Sequence, residues 1–497
     1  MDAFLTSLAA FADPYLLGIV VIGTLGGVLV GAMPGLSSTM ATALLLPFTL
    51  TMEPVPAIAL LSALYCAGTF GGSITAILVN APGAPPAAAT AFDGYPLAQK
   101  GYAGKALGLA AVSSVIGGIF SVIVLLIAAP LLSRVAYNFG PPEYFALAVF
   151  GLSMLATISG ESALKNLIGG AIGVLIATVG MDFTTGIERF TFGNWALSEG
   201  IHFIPVMIGL FAGAEFIKQS GKLNQEKVRV ALTAVQLPTL ADIKFCLGTI
   251  ARSCGIGSFI GLLPAEGGTV AAMMGYNEAK RFAKDKSQFG KGDLRGIAGP
   301  EAANNAATGA AMVPTMALGI PGSATTAIIL GALLVHGLRP GPHLFNEQPT
   351  LLYSIFLAML ISNIAFGVFG FIGAKLFARI TLIPTVFLWP AVFILACVGA
   401  YALEQAMLDV WIMIAAGLLG FVAQRYGFSA APIIMGLILG ELVEGTMKQS
   451  LIIFDHSWLG FLERPIVVTF LVLTLASISL PLLAELRARR RRALGEG

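Results

Sequence analysis

Gly27-Val28-Leu29-Val30-Gly31-Ala32-Met33-Pro34-Gly35-Leu36-Ser37-Ser38-Thr39 lines up without gaps on Gly257-Ser258-Phe259-Ile260-Gly261-Leu262-Leu263-Pro264-Ala265-Glu266-Gly267-Gly268-Thr269. A second pair follows in the same order, with Asn80-Ala81-Pro82-Gly83-Ala84-Pro85 matching Gly319-Ile320-Pro321-Gly322-Ser323-Ala324. All four stretches are embedded in apolar sequence. Main chain that leaves the helix inside a bilayer exposes polar groups that lipid cannot satisfy, so such breaks persist only where they are buried in protein or line a watery cavity. Breaks duplicated at matching places point to a transporter.

The composition around them agrees. The chain has 497 residues, 57% hydrophobic and 11% charged, with a mean hydropathy of +0.88. Soluble domains carry roughly 25% charged residues, so this is a polytopic membrane protein built of helices. Its 59 Gly and 26 Pro suit closely packed, interrupted helices. The formal net charge of +2 is segregated along the chain and gives nucleic-acid binding no support. Cys66, Cys246, Cys254 and Cys397 form no Cys-x-x-Cys pair, and His202, His336, His343 and His456 have no metal-ligand spacing. With no Gly-x-Ser-x-Gly elbow or Walker loop either, an enzyme is not expected, nor is a cofactor. Residues 1–14 contain Asp2 and Asp13 but no Lys or Arg, unlike the basic start of a cleavable signal, so the first segment is expected to be retained.

Apolar runs at 15–50, 55–92, 106–132, 143–160, 163–180 and 201–217 are followed by a second set at 246–276, 299–337, 350–374, 385–403, 406–424 and 430–445, and by one more at 465–483. Lys and Arg favour cytoplasmic loops, which places the clusters within 218–244, 280–295 and 487–492 inside. Matching loops have opposite charge bias. The loop after the first break is basic at 277–298 but carries only Glu53 at 47–54, and the loop after the second break reverses this. The reading is two inverted-topology repeats, each with a re-entrant hairpin and a broken helix, giving about 11 full crossings. Residues 1–217 form repeat one, 218–245 a cytoplasmic linker, 246–445 repeat two, and 446–497 a final helix with an Arg-rich cytoplasmic tail. Whether 15–50 and 246–276 re-enter or span fully stays open, the short return limbs favouring re-entry.

Where a helix stops at Pro-Gly and restarts, its free N–H groups and positive dipole end attract carboxylate, and free carbonyls at the other end can hold a cation. The expected substrate and ion ligands are therefore Pro34, Gly35, Ser37, Ser38, Thr39, Asn80, Pro82, Gly83, Gly267, Gly268, Thr269, Pro321, Gly322, Ser323, Thr325 and Thr326. Na⁺ could sit at the same breaks. Asn304, Asn305 and Thr308 share a helical face with Glu301, a polar stripe leading toward Pro321. Glu266 at a hairpin tip is the preferred proton or cation carrier, while Glu301 reads first as a helix-dipole partner near the interface and Arg252 as a snorkelling side chain. Gly and Pro that merely kink helices are the bland alternative for any single break. Thr42 and Thr75, away from the Pro-Gly turns, read as hydroxyls bonded back to their own helix.

Pro300-Glu-Ala-Ala-Asn-Asn-Ala-Ala-Thr-Gly-Ala-Ala-Met-Val-Pro314-Thr-Met-Ala-Leu-Gly-Ile-Pro-Gly-Ser-Ala-Thr325, continuing through Gly331 to Pro342, resembles the large permease subunit of the tripartite tricarboxylate transporters, the TctA family. Gly31 to Thr39, Asn80 to Pro86 and Asp93-Gly94-Tyr95-Pro96 resemble its first-half motifs, and Ala265-Glu266 departs from its Pro-Gly pattern. The resemblance implies a multi-pass transporter of the bacterial inner membrane, its C-terminus cytoplasmic. Such a protein takes organic acids, often tricarboxylates such as citrate, from a periplasmic solute-binding protein. It implies a small four-helix membrane partner and symport with H⁺ or Na⁺. Hairpin followed by broken helix, repeated with opposite orientation, is also similar to elevator transporters, some of which are oligomers. A channel or facilitator for small organic anions is the alternative.

Overall fold

A computed structural model describes residues 2–33, 35–157, 162–182, 184–221, 237–264, 267–372 and 385–493. Pro34 and Glu266, like 222–236 of the expected linker, lie outside the described residues. In chain order the helices are α1 (Asp2–Ala10), α2 (Pro14–Gly31), α3 (Ser38–Thr49), α4 (Pro54–Val79), α5 (Ala87–Leu97), α6 (Ala103–Ala136), α7 (Pro141–Ser153), α8 (Ala163–Ala177), α9 (Phe203–Ile208), α10 (Ala214–Ser220), α11 (Leu240–Gly261), α12 (Gly267–Arg281), α13 (Arg295–Leu318), α14 (Ala324–Val335), α15 (Pro342–Glu347) and α16 (Pro349–Ile372). Thr385–Glu404, Met407–Arg425, Ala430–Ile453 and Pro465–Ala493 follow. Among the described residues seven helices are long and apolar enough to cross a bilayer, α2 and α11 included. The chain is an all-helical, multi-pass membrane protein.

Two compact units each draw on both sequence halves. One comprises Met1–Arg134 with Gln219–Leu395, the other Val135–Lys218 with Ala396–Gly497.

In the first unit the sequence helix, break, helix, long helix, break, helix occurs twice, as α2 to α5 and as α11 to α14. The aligned glycines make matching contacts. A Cβ at Gly27 would stand 2.6 Å from the Leu64 carbonyl oxygen of α4 and one at Gly31 2.5 Å from that of Gly68. Gly257 meets the Ala303 carbonyl of α13 in the same way, and a Cβ at Gly261 would stand 2.6 Å from that of Ala307. Small residues here let helix backbones touch. Gly31→Val or Gly261→Val should therefore lower thermal stability by about 3 kcal/mol, the upper end of overpacking costs, because main chain cannot rotate out of the way. An unchanged thermal unfolding profile of the purified protein would contradict this packing.

The two long helices end alike. Asn80 caps α4 in the left-handed conformation at φ 52, and Gly319 caps α13 at φ 69. Each cap N–H, and the N–H after it, returns to one carbonyl: Thr75 in the first case, Pro314 in the second. Gly tolerates this conformation outright and Asn nearly so, which explains why these two residue types align. α4 is almost wholly enclosed, every residue from Leu61 to Leu78 being buried. α13 is buried from Gly296 to Leu318 although Ala, Gly, Asn and Thr dominate it, and it is not among the seven apolar spans. A helix shielded from lipid by protein can carry polar residues, and its small side chains bring its neighbours close.

The second unit adds one small non-helical piece to the helical fold. Gly180–Met181 and Glu188–Arg189 pair as antiparallel strands. Lys448 bridges Asp182 and Glu444 at 2.7 and 2.6 Å, and Arg189 also grips Glu444. The hydrogen bond from Lys448 and the N–H of Thr184 hold the Asp182 carboxyl below its ordinary range.

Candidate functional site

Two helix starts meet inside the first unit. Ser37 is the N-cap of α3 and accepts from the Met40 N–H at 3.1 Å, and Ser323 is the N-cap of α14 and accepts from the Thr326 N–H at 3.2 Å. Serine is favoured at such positions because its hydroxyl satisfies a first-turn donor. The remaining early N–H groups, those of Ser38 and Thr39 in α3 and Ala324 and Thr325 in α14, have no carbonyl within their own helix. Across the gap the hydroxyls of Thr39 and Thr325 lie 2.7 Å apart. Tyr65 of α4 places its hydroxyl 3.5 Å from that of Ser323. The first break of one sequence half thus faces the second break of the other.

Close packing sets these starts. Gly35 adopts φ 88, which a side chain would strain, and a Cβ there would stand 3.0 Å from the Gln219 amide and 3.2 Å from the Trp389 ring. A Cβ at Gly68 would lie 2.7 Å from that of Ser38. Gly83 donates its N–H to the Gly72 carbonyl at 3.3 Å, and Gly322 donates to the Thr315 hydroxyl at 3.2 Å. Pro321 and Gly322 are buried, whereas Asn80 and Pro82 are exposed.

A second, crossed pair involves the start of α12. A Cβ at Gly268 would approach the Asn304 side-chain oxygen to 3.0 Å and Pro86 to 3.4 Å, so the start of α12 lies on the first-half break. Gly267 packs against Gly261, and Thr269 is half-buried. Extending the second alignment backward puts Tyr65 opposite Asn304, so each cluster receives a polar side chain from the matching turn of its long helix. Asn305 donates its amide to the Glu301 carbonyl at 3.0 Å, and its side-chain oxygen is buried with no hydrogen-bond partner among the described residues.

Glu301 corrects the dipole-partner expectation. It is fully buried, a turn and a half into α13, and its carboxylate accepts from Ser73 of α4 at 2.5 Å, from Thr90 of α5 and from Ser114 of α6 at 2.8 Å. Nearby, buried Asp93 of α5 accepts from the N–H groups of Gly290, Gly292 and Asp293 at 2.8, 2.7 and 2.9 Å and from the Tyr276 hydroxyl at 3.0 Å. Arg252 lies over the Phe282 ring, 4.6 Å from its centre, with Glu278 at 3.4 Å. Thr42 and Thr75 bond back to Ser38 and Gly72, as expected of them.

Sequence reasoning missed Tyr65, Ser73, Thr90 and Ser114. Tyr65 and Ser73 stand on α4 among Ser62, Thr69 and Thr75, Ser114 stands beside Ser113 on α6, and Thr90 lies in Ala-rich α5. The available signal for Tyr65 was the extended alignment, and nothing set the hydroxyls apart from their neighbours.

Such interrupted helices meeting in the interior of a multi-pass, all-helical protein define a membrane transport protein. The family model for the tripartite tricarboxylate transporter TctA family matches residues 17–435, and the chain belongs to that family. It is therefore kin to the large subunits of transporters assembled from several parts. It is similar to an uncharacterized 52.8 kDa protein of the TAR-I ttuC' 3' region of Agrobacterium vitis, 38% identical over 475 residues, 96% of this chain and 95% of the relative. It is also similar to an uncharacterized protein of the TAR-II ttuC' 3' region of the same organism, 35% identical over 234 residues, 47% of this chain and 97% of the relative. No solved structure matches it.

Proposed function

We propose that the protein is the permease of a secondary active, cation-coupled system that imports a tricarboxylate or related organic acid across the inner membrane. The carrying observation is the meeting of the α3 and α14 starts, with Thr39 and Thr325 at 2.7 Å. Two sets of free N–H groups and two dipole ends converge there on a gap lined by hydroxyls, which suits an anion of several carboxylates. Hydroxyl and amide oxygens from the same residues suit Na⁺, and a buried carboxyl suits H⁺. Family membership supports a small membrane subunit and a periplasmic solute-binding protein as partners. Matching glycine contacts and matching αL caps in α2–α5 and α11–α14 support two repeats, and the loop charges support inverted orientation with a cytoplasmic C-terminus. An elevator movement of one unit is the mechanism this arrangement favours.

In cells making the chain with its two partner subunits, labelled citrate should accumulate above the external concentration. Accumulation should collapse when the driving gradient, of H⁺ or of Na⁺, is removed. Uptake that only equilibrates, whatever gradient is imposed, would instead establish a facilitator.

A further inference from the structure

Glu301 is fully buried and meets no cation among the described residues. Taking an ionised carboxylate out of water costs several kcal/mol unless it is paired or fully hydrogen bonded. Its neighbours here are three hydroxyls, each from a different helix: Ser73, Thr90 and Ser114. Hydroxyls both donate and accept. With the carboxylate ionised, all three point their O–H groups at it. With one oxygen protonated, that oxygen donates to Ser114, whose own proton turns to a carbonyl of its helix. The same cage therefore serves both forms, by rotation of one C–O bond. Asp93 provides the contrast within the same unit. Three of its four partners are main-chain N–H groups, which only donate, and so suit an acceptor alone.

Among the described residues no charged group of the surrounding helices pairs with Glu301. Asp93 of α5 is held as described, Lys105 of α6 pairs with Asp242 of α11 at 2.8 Å, and Arg295 at the head of α13 pairs with Asp293 at 2.7 Å. Glu278 of α12 meets Arg252 of α11, and Tyr276 of α12 meets Asp93. Tyr65 of α4 faces Ser323, Cys66 neighbours Thr308 and Asn363, and Cys246 and Cys254 lie on α11. On α15, His343 and Glu347 are exposed.

We propose that Glu301 is the proton-binding site that couples transport to the proton gradient, taking up and releasing one proton while Ser73, Thr90 and Ser114 hold either form. This rests on the reading of the chain as a coupled carrier. It goes beyond that reading by choosing H⁺ and naming the residue. Glu301 lies one turn from Asn304 and Asn305 on α13, so a change in its charge acts directly on the helix that carries the second cluster.

Two measurements test this. Infrared difference spectra of the purified protein in lipid should show a protonated-carboxyl C=O band that disappears as pH is raised, and this band should be missing in Glu301→Gln. In proteoliposomes of the assembled transporter, citrate accumulation driven by a pH gradient should fall at least tenfold in Glu301→Gln. Exchange of internal for external citrate, which needs no net proton movement, should fall much less. If that variant does not reach the membrane, Ser73→Ala should move the midpoint of the infrared titration to higher pH, since it removes a donor that the ionised carboxylate holds more strongly than the neutral acid does. A band that never titrates, an unmoved midpoint, or equal losses of accumulation and exchange would overturn the proposal. Wild-type accumulation driven by Na⁺ alone would overturn it while leaving the coupled carrier standing. Accumulation under neither gradient would end both.

Discussion

Replacing Ser323 by Leu should reduce carboxylate uptake to the level of cells lacking the protein, while the amount in the membrane stays close to normal. The hydroxyl of Ser323 caps α14 through the Thr326 N–H, and the residue is half-buried in front of Tyr65. Losing an N-cap costs about 1 kcal/mol, which is small against a total stability of about 5–15 kcal/mol. The greater damage is to the gap itself. A leucyl side chain would occupy the space in front of the α14 dipole and remove the Ser323 hydroxyl, which can donate to a carboxylate or ligate a cation. Ser38→Leu should act in the same way from the opposite side, because Ser38 is 7% exposed and already packs on Gly68. Ser323→Thr keeps the hydroxyl and should keep measurable uptake. Labelled-citrate uptake normalised to membrane abundance by immunoblot decides the matter, and normal uptake in both leucine variants would remove the site.

Asp93→Ala should have the largest effect on stability. Its carboxylate ties α5 to the turn before α13 by accepting three main-chain N–H bonds and the Tyr276 hydroxyl. Removing it leaves those donors without an acceptor, at about 1–3 kcal/mol for a buried unsatisfied group and less at exposed Gly290, which water reaches. The sum is on the order of 4 kcal/mol, close to the whole stability of a marginal domain. Little protein should be recovered, and what is recovered should unfold at much lower temperature. Tyr276→Phe removes one of the four bonds and should cost about 1 kcal/mol. Thermal unfolding of the three proteins in the same detergent provides the comparison. An alanine variant as stable as the phenylalanine variant would show that the main-chain bonds carry little.

The interruptions themselves were legible in the sequence, because Pro, Gly, Ser and Thr act on the backbone within a turn of where they stand. α3 and α14 start at Ser38 and Ala324, each after a capping serine, and α4 and α13 end at the aligned Asn80 and Gly319. Which starts meet was not legible. The pairing of Thr39 with Thr325, 286 residues apart, is a product of helix packing and leaves no local trace. Glu301 was misjudged for the same reason. Its position near the head of α13 looked interfacial, and only the surrounding α4, α5 and α6 reveal its burial. The short strands at Gly180 and Glu188 escaped notice because two residues display no periodicity.

The most direct test of the central claim is an electron cryomicroscopy map of the transporter with citrate bound. Density for the carboxylates should lie against the first turns of α3 and α14, within hydrogen-bond distance of the N–H groups and hydroxyls of Ser37 to Thr39 and Ser323 to Thr326. Citrate bound elsewhere, or continuous helix through the interruptions before Ser38 and Ala324, would contradict the account.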